Sequence, residues 1–217
     1  MVNGILIEAC VDSVEAAEAA IAAGADRLEV CSFREPGGVT PSFGLVEDLL
    51  VLSPVPLHVL VRPRGGRFVY LAGNEMGIIE RQVQALARIG AHGVVTGALT
   101  EDRDIDQPFV ALLREYARPL AVTFHRAFDV SRDRADSLEV LVKIGVHRVL
   151  TSGHPMSAED GIPGLRALVR QAERRIGVIA AGGIRGHNVL RIVQETGVRE
   201  VHSRGAIGPI VQALKAG

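Results

Sequence analysis

Cysteine is nearly missing from this chain: two residues, Cys10 and Cys31, among 217. Two cysteines do not make a disulfide framework for a domain of this size, so a reduced, cytoplasmic protein is expected. Aromatic residues are only 4% of the chain and tryptophan is absent. No basic stripe interleaved with aromatics occurs, which argues against a nucleic-acid partner. Charge of one sign is missing too, with 24 Lys+Arg against 25 Asp+Glu for a formal net charge of -1. No apolar run approaches the roughly 20 residues of a spanning helix, so no membrane partner is expected. The first residues, Met1 to Glu8, have no basic segment and are interrupted by Glu8, unlike a signal peptide.

Hydrophobic residues make up 47% of the chain, and its length suits one domain, 1–217, with a sizeable core. Eight strand-like runs fall at 5–10, 27–31, 56–62, 93–98, 119–124, 148–153, 177–183 and 200–204. Between them lie helical patterns: one capped by Asp12 or Ser13 and closed by Gly24, one from Ser42 through Leu52, then 75–89, 107–117, 132–144, 164–174 and 188–195. A short helix follows Gly208-Pro209. Strands alternating with helices make an α/β protein with a parallel sheet, and eight such units predict closure into a (β/α)8 TIM-type barrel. An internal echo agrees. Gly24-Ala25-Asp26, Gly90-Ala91-His92, Gly145-Val146-His147 and Gly197-Val198-Arg199 precede the second, fourth, sixth and eighth strands. An open doubly wound sheet is the alternative.

Chemistry-bearing residues collect at strand ends, where barrels of this type place their active sites. In Thr123-Phe124-His125-Arg126-Ala127-Phe128-Asp129 a histidine, an arginine and an aspartate crowd the end of the fifth strand. Ionisable groups there are costly unless they work together, as a catalytic set or as a structural charge network. Side chains alternate along a strand. Ile7, Ala9, Leu28 and Val30 are apolar and face the helices, so Glu8, Cys10, Glu29 and Cys31 face inward, with the two triplets Glu8-Ala9-Cys10 and Glu29-Val30-Cys31 expected at equivalent points. Paired acids raise one carboxyl pKa and supply an acid and a base; alternatively Arg62, Arg64 or Arg126 neutralises them. Gly182-Gly183 and His202-Ser203-Arg204 end the last two strands, where barrels bind phosphate on backbone N–H groups. Ser152, in Thr151-Ser152-Gly153-His154, could add a hydroxyl. Soft thiolates favour Cu(I), but no CxxC or Met-rich cluster accompanies Cys10 and Cys31, and buried free cysteine is commonly a small apolar residue.

Taken together, Leu28-Glu29-Val30-Cys31, Gly37-Gly38-Val39-Thr40-Pro41-Ser42, Val61-Arg62-Pro63-Arg64-Gly65-Gly66 and Phe68-Val69-Tyr70 resemble the CutC copper homeostasis family. So do Thr123 to Asp129, Leu150-Thr151-Ser152-Gly153, Gly182-Gly183-Ile184 with Asn188, and Val201-His202-Ser203. The resemblance spans nearly the whole chain and implies a TIM-type barrel, a cytoplasmic location and a part in copper handling. It implies copper binding at Cys31 and Cys10, and a polar rim of Glu8, Glu29, Arg62, Arg64, His125, Arg126, Asp129 and His202. Two departures stand out: the segment after His202-Ser203 is short, and Gly153-His154 replaces a Gly-Gly.

Three functions follow as expectations. One is a copper-homeostasis barrel binding Cu(I) through Cys10 and Cys31. The second is an enzyme acting on a small anionic or phosphorylated substrate, with Glu8 or Glu29 as base, His125 as the partner acid, Asp129 beside them, and arginines 62, 64, 126 and 204 on the anion. The third is an interaction scaffold without chemistry. No organic cofactor is implied, and self-association through the outer helices remains open.

Overall fold

The computed structural model describes residues 1–32, 37–71, 74–154 and 156–217. Eight parallel strands close on themselves in sequence order: β1 (Leu6–Val11), β2 (Arg27–Val30), β3 (Leu57–Leu60), β4 (Gly93–Thr96), β5 (Ala121–Phe124), β6 (Arg148–Thr151), β7 (Gly177–Ala180) and β8 (Glu200–Ser203). Around them stand α1 (Val14–Ala22), α2 (Phe43–Leu52), α3 (Glu75–Ile89), α4 (Gln107–Tyr116), α5 (Arg134–Ile144), α6 (Ile162–Ala172), α7 (Val189–Thr196) and α8 (Ile207–Ala216). This is a (β/α)8 barrel, as the eight-unit reading expects.

Local chemistry sets the boundaries. The Ser13, Ser42 and Asp106 side chains accept from the backbone N–H groups of Ala16, Leu45 and Phe109, capping α1, α2 and α4. The echoing glycines have φ of +99° at Gly24, +80° at Gly90, +82° at Gly145 and +77° at Gly197, the left-handed turn that ends a helix and aims the chain at the next strand. Three helix starts differ from expectation by two residues or more, one of them α8, which begins at Ile207 and contains Gly208 and Pro209 instead of following them. After β5 the chain makes a 3-10 turn, Arg126–Val130, and α5 begins only at Arg134, where Asp133 accepts from the N–H groups of Ala135 and Asp136. Helix α6 starts at Ile162, before the expected residue 164, because Pro163 suits a first helical turn. Glu35 and Pro36, in the predicted second loop, lie outside the described residues.

Inside and outside separate as alternation requires. Ile7, Ala9, Leu28 and Val30 join one apolar cluster with the helix residues Ala17, Val46, Leu49 and Leu214. Cys10, Cys31, Leu60 and Val95 form a second cluster within the barrel. The strands are staggered, however, as closure of a tilted sheet demands. Glu8 pairs in register with Arg27 on one side and His202 on the other, while Cys10 pairs with Glu29. The two Glu-x-Cys triplets are therefore offset by two residues and are not at equivalent heights, a correction to the sequence reading. The stagger brings Glu8 under Glu29 and His202, and sets Cys10 against Cys31.

Candidate functional site

A cavity of about 450 Å³ opens at the C-terminal ends of the strands. Its wall includes Glu29, Arg62, Phe68, His125, Arg126 and Asp129 on one arc and Gly182, Gly183, Arg185, His202 and Arg204 on the other. Most of the predicted rim is thus one concave surface. Ser152 and Glu8 support it from behind, and Cys10 and Cys31 lie beneath it, buried.

Asp129 organises the β5–β6 side. It accepts from Thr151 Oγ1, from Ser152 N at 3.0 Å, from Ser152 Oγ at 2.9 Å and from Arg126 Nε at 2.6 Å. With so many donors on a buried carboxylate, Asp129 acts as an anchor rather than as a free acid. The anchor aims Arg126, whose Nη2 donates to Ser152 Oγ at 3.1 Å and whose guanidinium lies against Gly182. A Cβ on Gly182 would sit 3.1 Å from Ser152 Cβ and 3.4 Å from Arg126 Cζ, at a φ of +92°. Glycine is needed there for both reasons. The next loop is braced by Asn188, which donates to Gly183 O at 3.0 Å and accepts from Arg185 N at 2.8 Å.

On the β1–β2–β8 side the two acids behave differently. Burial alone would raise the Glu8 pKa, but Arg27, and after it His202, hold it well below the usual carboxylate range. Arg27 donates to Glu8 Oε2 through Nε and to Glu200 through Nη2 at 2.6 Å, and Arg148 reaches Glu200 at 3.1 Å. Among the described residues the arginine paired with Glu8 is therefore Arg27, and not one of the expected arginines. Arg64 binds Glu75 and the carbonyls of Arg67 and Val69, outside the cavity wall, and Arg126 is held by Asp129. Arg62 donates to the carbonyls of Gly38 and Gly66 and stacks on Phe68 with Cζ 4.7 Å from the ring centre.

Burial is the main cause that raises the Glu29 pKa, and the charge of Glu8 adds to it. His202 Nδ1 lies 2.8 Å from Glu8 Oε1 and 3.2 Å from Glu29 Oε2. Only the shorter contact has hydrogen-bond geometry, so Glu29 Oε2 is buried without a hydrogen-bond partner among the described residues. Burial would lower the His202 pKa, but Glu29, Cys10 and Glu8 outweigh it and raise it to about 10. His125 is the opposite case. Burial, with Arg62 nearby, lowers its pKa to about 3 and keeps it neutral. Its Nδ1 accepts from Ala127 N at 3.4 Å, which leaves the ring proton on Nε2; that buried atom has no partner among the described residues.

The cysteines meet, with Cys10 Sγ and Cys31 Sγ 3.2 Å apart as free, buried thiols. Two adjacent soft donors suit Cu(I) in type. Their surroundings oppose ionisation: the hydrogen bond to Cys31, burial and Glu29 all push the Cys10 thiol up. A copper ion would have to displace protons from a closed apolar cluster with Leu60 and Val95.

The sequence assigns no site role to Arg27, His58, Phe68 or Arg185, although Phe68 falls in one of the family-like motifs. His58 fills the barrel interior opposite Gly93, where a Cβ would come within 2.6 Å of its ring. Arg27 has equal parity with Glu29 on a buried strand, and that signal could have revealed it. Phe68 lies in a long loop with no periodicity to place it.

The comparisons with known proteins agree with one another. A family model described as CutC family matches residues 5–207. The human protein named copper homeostasis protein cutC homolog is 44% identical over 200 residues, covering 92% of this chain and 73% of its own. A family protein CutC from Mesorhizobium japonicum is 47% identical over 197 residues, 91% of this chain and 76% of its own. The crystal structure of a CutC protein from Streptococcus agalactiae superposes with a TM-score of 0.85 at 32% identity, covering 92% of this chain and 98% of that one. The barrel with this mouth belongs to the CutC family.

Proposed function

We propose that this chain carries the copper-homeostasis role given in its relatives' names, in the cytoplasm, and that its own chemistry is capture of a small anionic ligand at the barrel mouth. The observation that supports the mechanism is the cavity wall itself. Arg62, Arg126, Arg185 and Arg204 line it together with Gly182 and Gly183, while Glu29 Oε2 and His125 Nε2 stand buried without hydrogen-bond partners among the described residues. Arginine forks recognise phosphate oxygens, and glycine lets an anion approach the backbone. A phosphate or sugar phosphate bound there would meet Glu29 as a proton acceptor and His125 Nε2–H as a hydrogen-bond donor. Glu8 is committed to Arg27 and His202 and supports rather than reacts.

The adjacency of Cys10 and Cys31 favours a second reading, in which the pair holds Cu(I). A thermal-shift titration of metal-free protein separates the two, because a ligand specific to the folded state raises Tm by mass action. The anion reading expects a rise with phosphates or sugar phosphates that persists in a Cys10→Ser/Cys31→Ser protein. A rise with anaerobic Cu(I) alone, lost in that double variant, would replace it with the copper reading.

A further inference from the structure

We propose that Glu8, Glu29 and His202 form a binding site for a divalent first-row cation whose open face looks into the mouth cavity. One oxygen from each carboxylate and one imidazole nitrogen lie within 4.8 Å of one another. Two of the separations, 2.8 Å and 3.2 Å, are the edges that a coordination polyhedron would have. Ligand bonds of about 2.1 Å give edges of about 3.0 Å in an octahedron and about 3.4 Å in a tetrahedron. An ion could therefore enter with small side-chain shifts. A second observation points the same way: Glu29 Oε2 is buried, faces this cluster and has no hydrogen-bond partner among the described residues.

The surroundings are those of a metal site as well. Arg27 donates to Glu8 Oε2 and leaves Oε1 directed at His202, and the Cys10 thiol lies beside the same imidazole. Such outer contacts fix the orientation of ligating carboxylates and histidines. A 2+ ion binding there would displace the proton that His202 holds beside the two acids, and these oxygen and nitrogen donors suit Mn²⁺ or Zn²⁺ rather than Cu(I). Glu29 and His202 both line the cavity, so the remaining positions of the ion would open to it. Three protein ligands with an open side is the arrangement of catalytic rather than structural metal sites. With an ion bound, Glu29 would be a ligand and not a proton acceptor, and His125 Nε2 would still stand without a hydrogen-bond partner among the described residues.

The test uses Mn²⁺ alone with the full chain, freed of metal by a chelator, so it does not depend on an anion binding. Calorimetry should show one saturable site per chain, with loss of the free-ion EPR signal. Glu29→Gln and His202→Asn should each weaken Mn²⁺ by at least about 10-fold, the scale seen even for contacts behind the ligands. Cys10→Ser/Cys31→Ser, which keeps a hydroxyl beside the imidazole, should weaken Mn²⁺ clearly less than either ligand variant. Circular dichroism establishes that each variant is folded; if one is not, the other carries the comparison. Absence of saturable Mn²⁺ binding in the unaltered protein, or retention of full affinity in a folded Glu29 or His202 variant, would overturn the site. So would a loss in the double cysteine variant as large as in the ligand variants. Failure of phosphates to bind would touch only the anion reading.

Discussion

The two sides of the barrel mouth are built from the same materials and finished differently. On the β5–β6 side a buried carboxylate, Asp129, accepts from Thr151, from both donors of Ser152 and from Arg126. On the β1–β2–β8 side a carboxylate buried to a similar degree, Glu29, has one oxygen with no hydrogen-bond partner among the described residues. Burial is therefore not what separates the two acids; the number of donors is. The completed side holds Arg126 still, and the incomplete side keeps capacity for something outside the protein.

Removing a partner from the completed ionic layer should have the largest effect. Arg27 is buried and holds both Glu8 and Glu200. Arg27→Met leaves two carboxylates without it, and breaking a buried pair from one side costs about 3–5 kcal/mol. Urea denaturation should show a matching fall in midpoint; a loss within the range of an ordinary surface change would mean that Arg27 is not what keeps Glu8 ionised. Next comes Asp129→Asn, which turns one accepting oxygen into a donor facing donors. We expect a loss of about 2–3 kcal/mol, the scale of hydrogen bonds to a charged group. Phosphate affinity should fall with it, because Arg126 loses its anchor. Stability lost with phosphate affinity intact would break the link between the rigid side and the anion.

The barrel was legible because its signals are local. Apolar runs, capping serines at positions 13 and 42 and the four terminating glycines each act within a few residues. Alternation also placed Glu8, Cys10, Glu29 and Cys31 inside correctly. Register was not legible, since it depends on strand tilt and closure, which no single strand encodes. That is why the sequence points to Arg62, Arg64 or Arg126 as the partner of Glu8, when the stagger delivers Arg27. Arg64 shows the same limit. Its parity matches Arg62, but the strand has ended by then, and the loop turns its guanidinium onto Tyr70 and Glu75. The opposite electrostatic behaviour of His125 and His202 depends on whether a carboxylate lies alongside, a long-range fact.

His125 gives a smaller, pH-dependent effect. Its pKa is lowered to about 3 in the fold and is about 6.5 in an unfolded chain. Between these values the unfolded chain holds one more proton, so this residue's share of stability is present above about pH 6.5 and is lost as pH falls. The slope is about 1.4 kcal/mol per pH unit. In His125→Asn that share of the slope should vanish, so denaturation at pH 7 and pH 5.5 should differ less than in the unaltered protein. An unchanged slope would mean that the imidazole is reached by water and protonated in the folded state.

The smallest effect is the most telling, because its sign should be reversed. Glu29→Gln replaces a buried carboxylate oxygen that has no hydrogen-bond partner among the described residues and lies close to a second acid. Because folding raises the Glu29 pKa, its ionisation costs stability above about pH 4.3, the usual glutamate value. The amide removes that cost while keeping the shape. In chelator at pH 7, Glu29→Gln should leave stability unchanged or raise it by up to about 1 kcal/mol, where Asp129→Asn lowers it. Equal losses in the two would show that Glu29 is as fully held as Asp129, and the mouth would then have no incomplete side. A gain in stability joined to a loss of ligand or ion binding is the pattern of a residue kept for what it binds rather than for the fold.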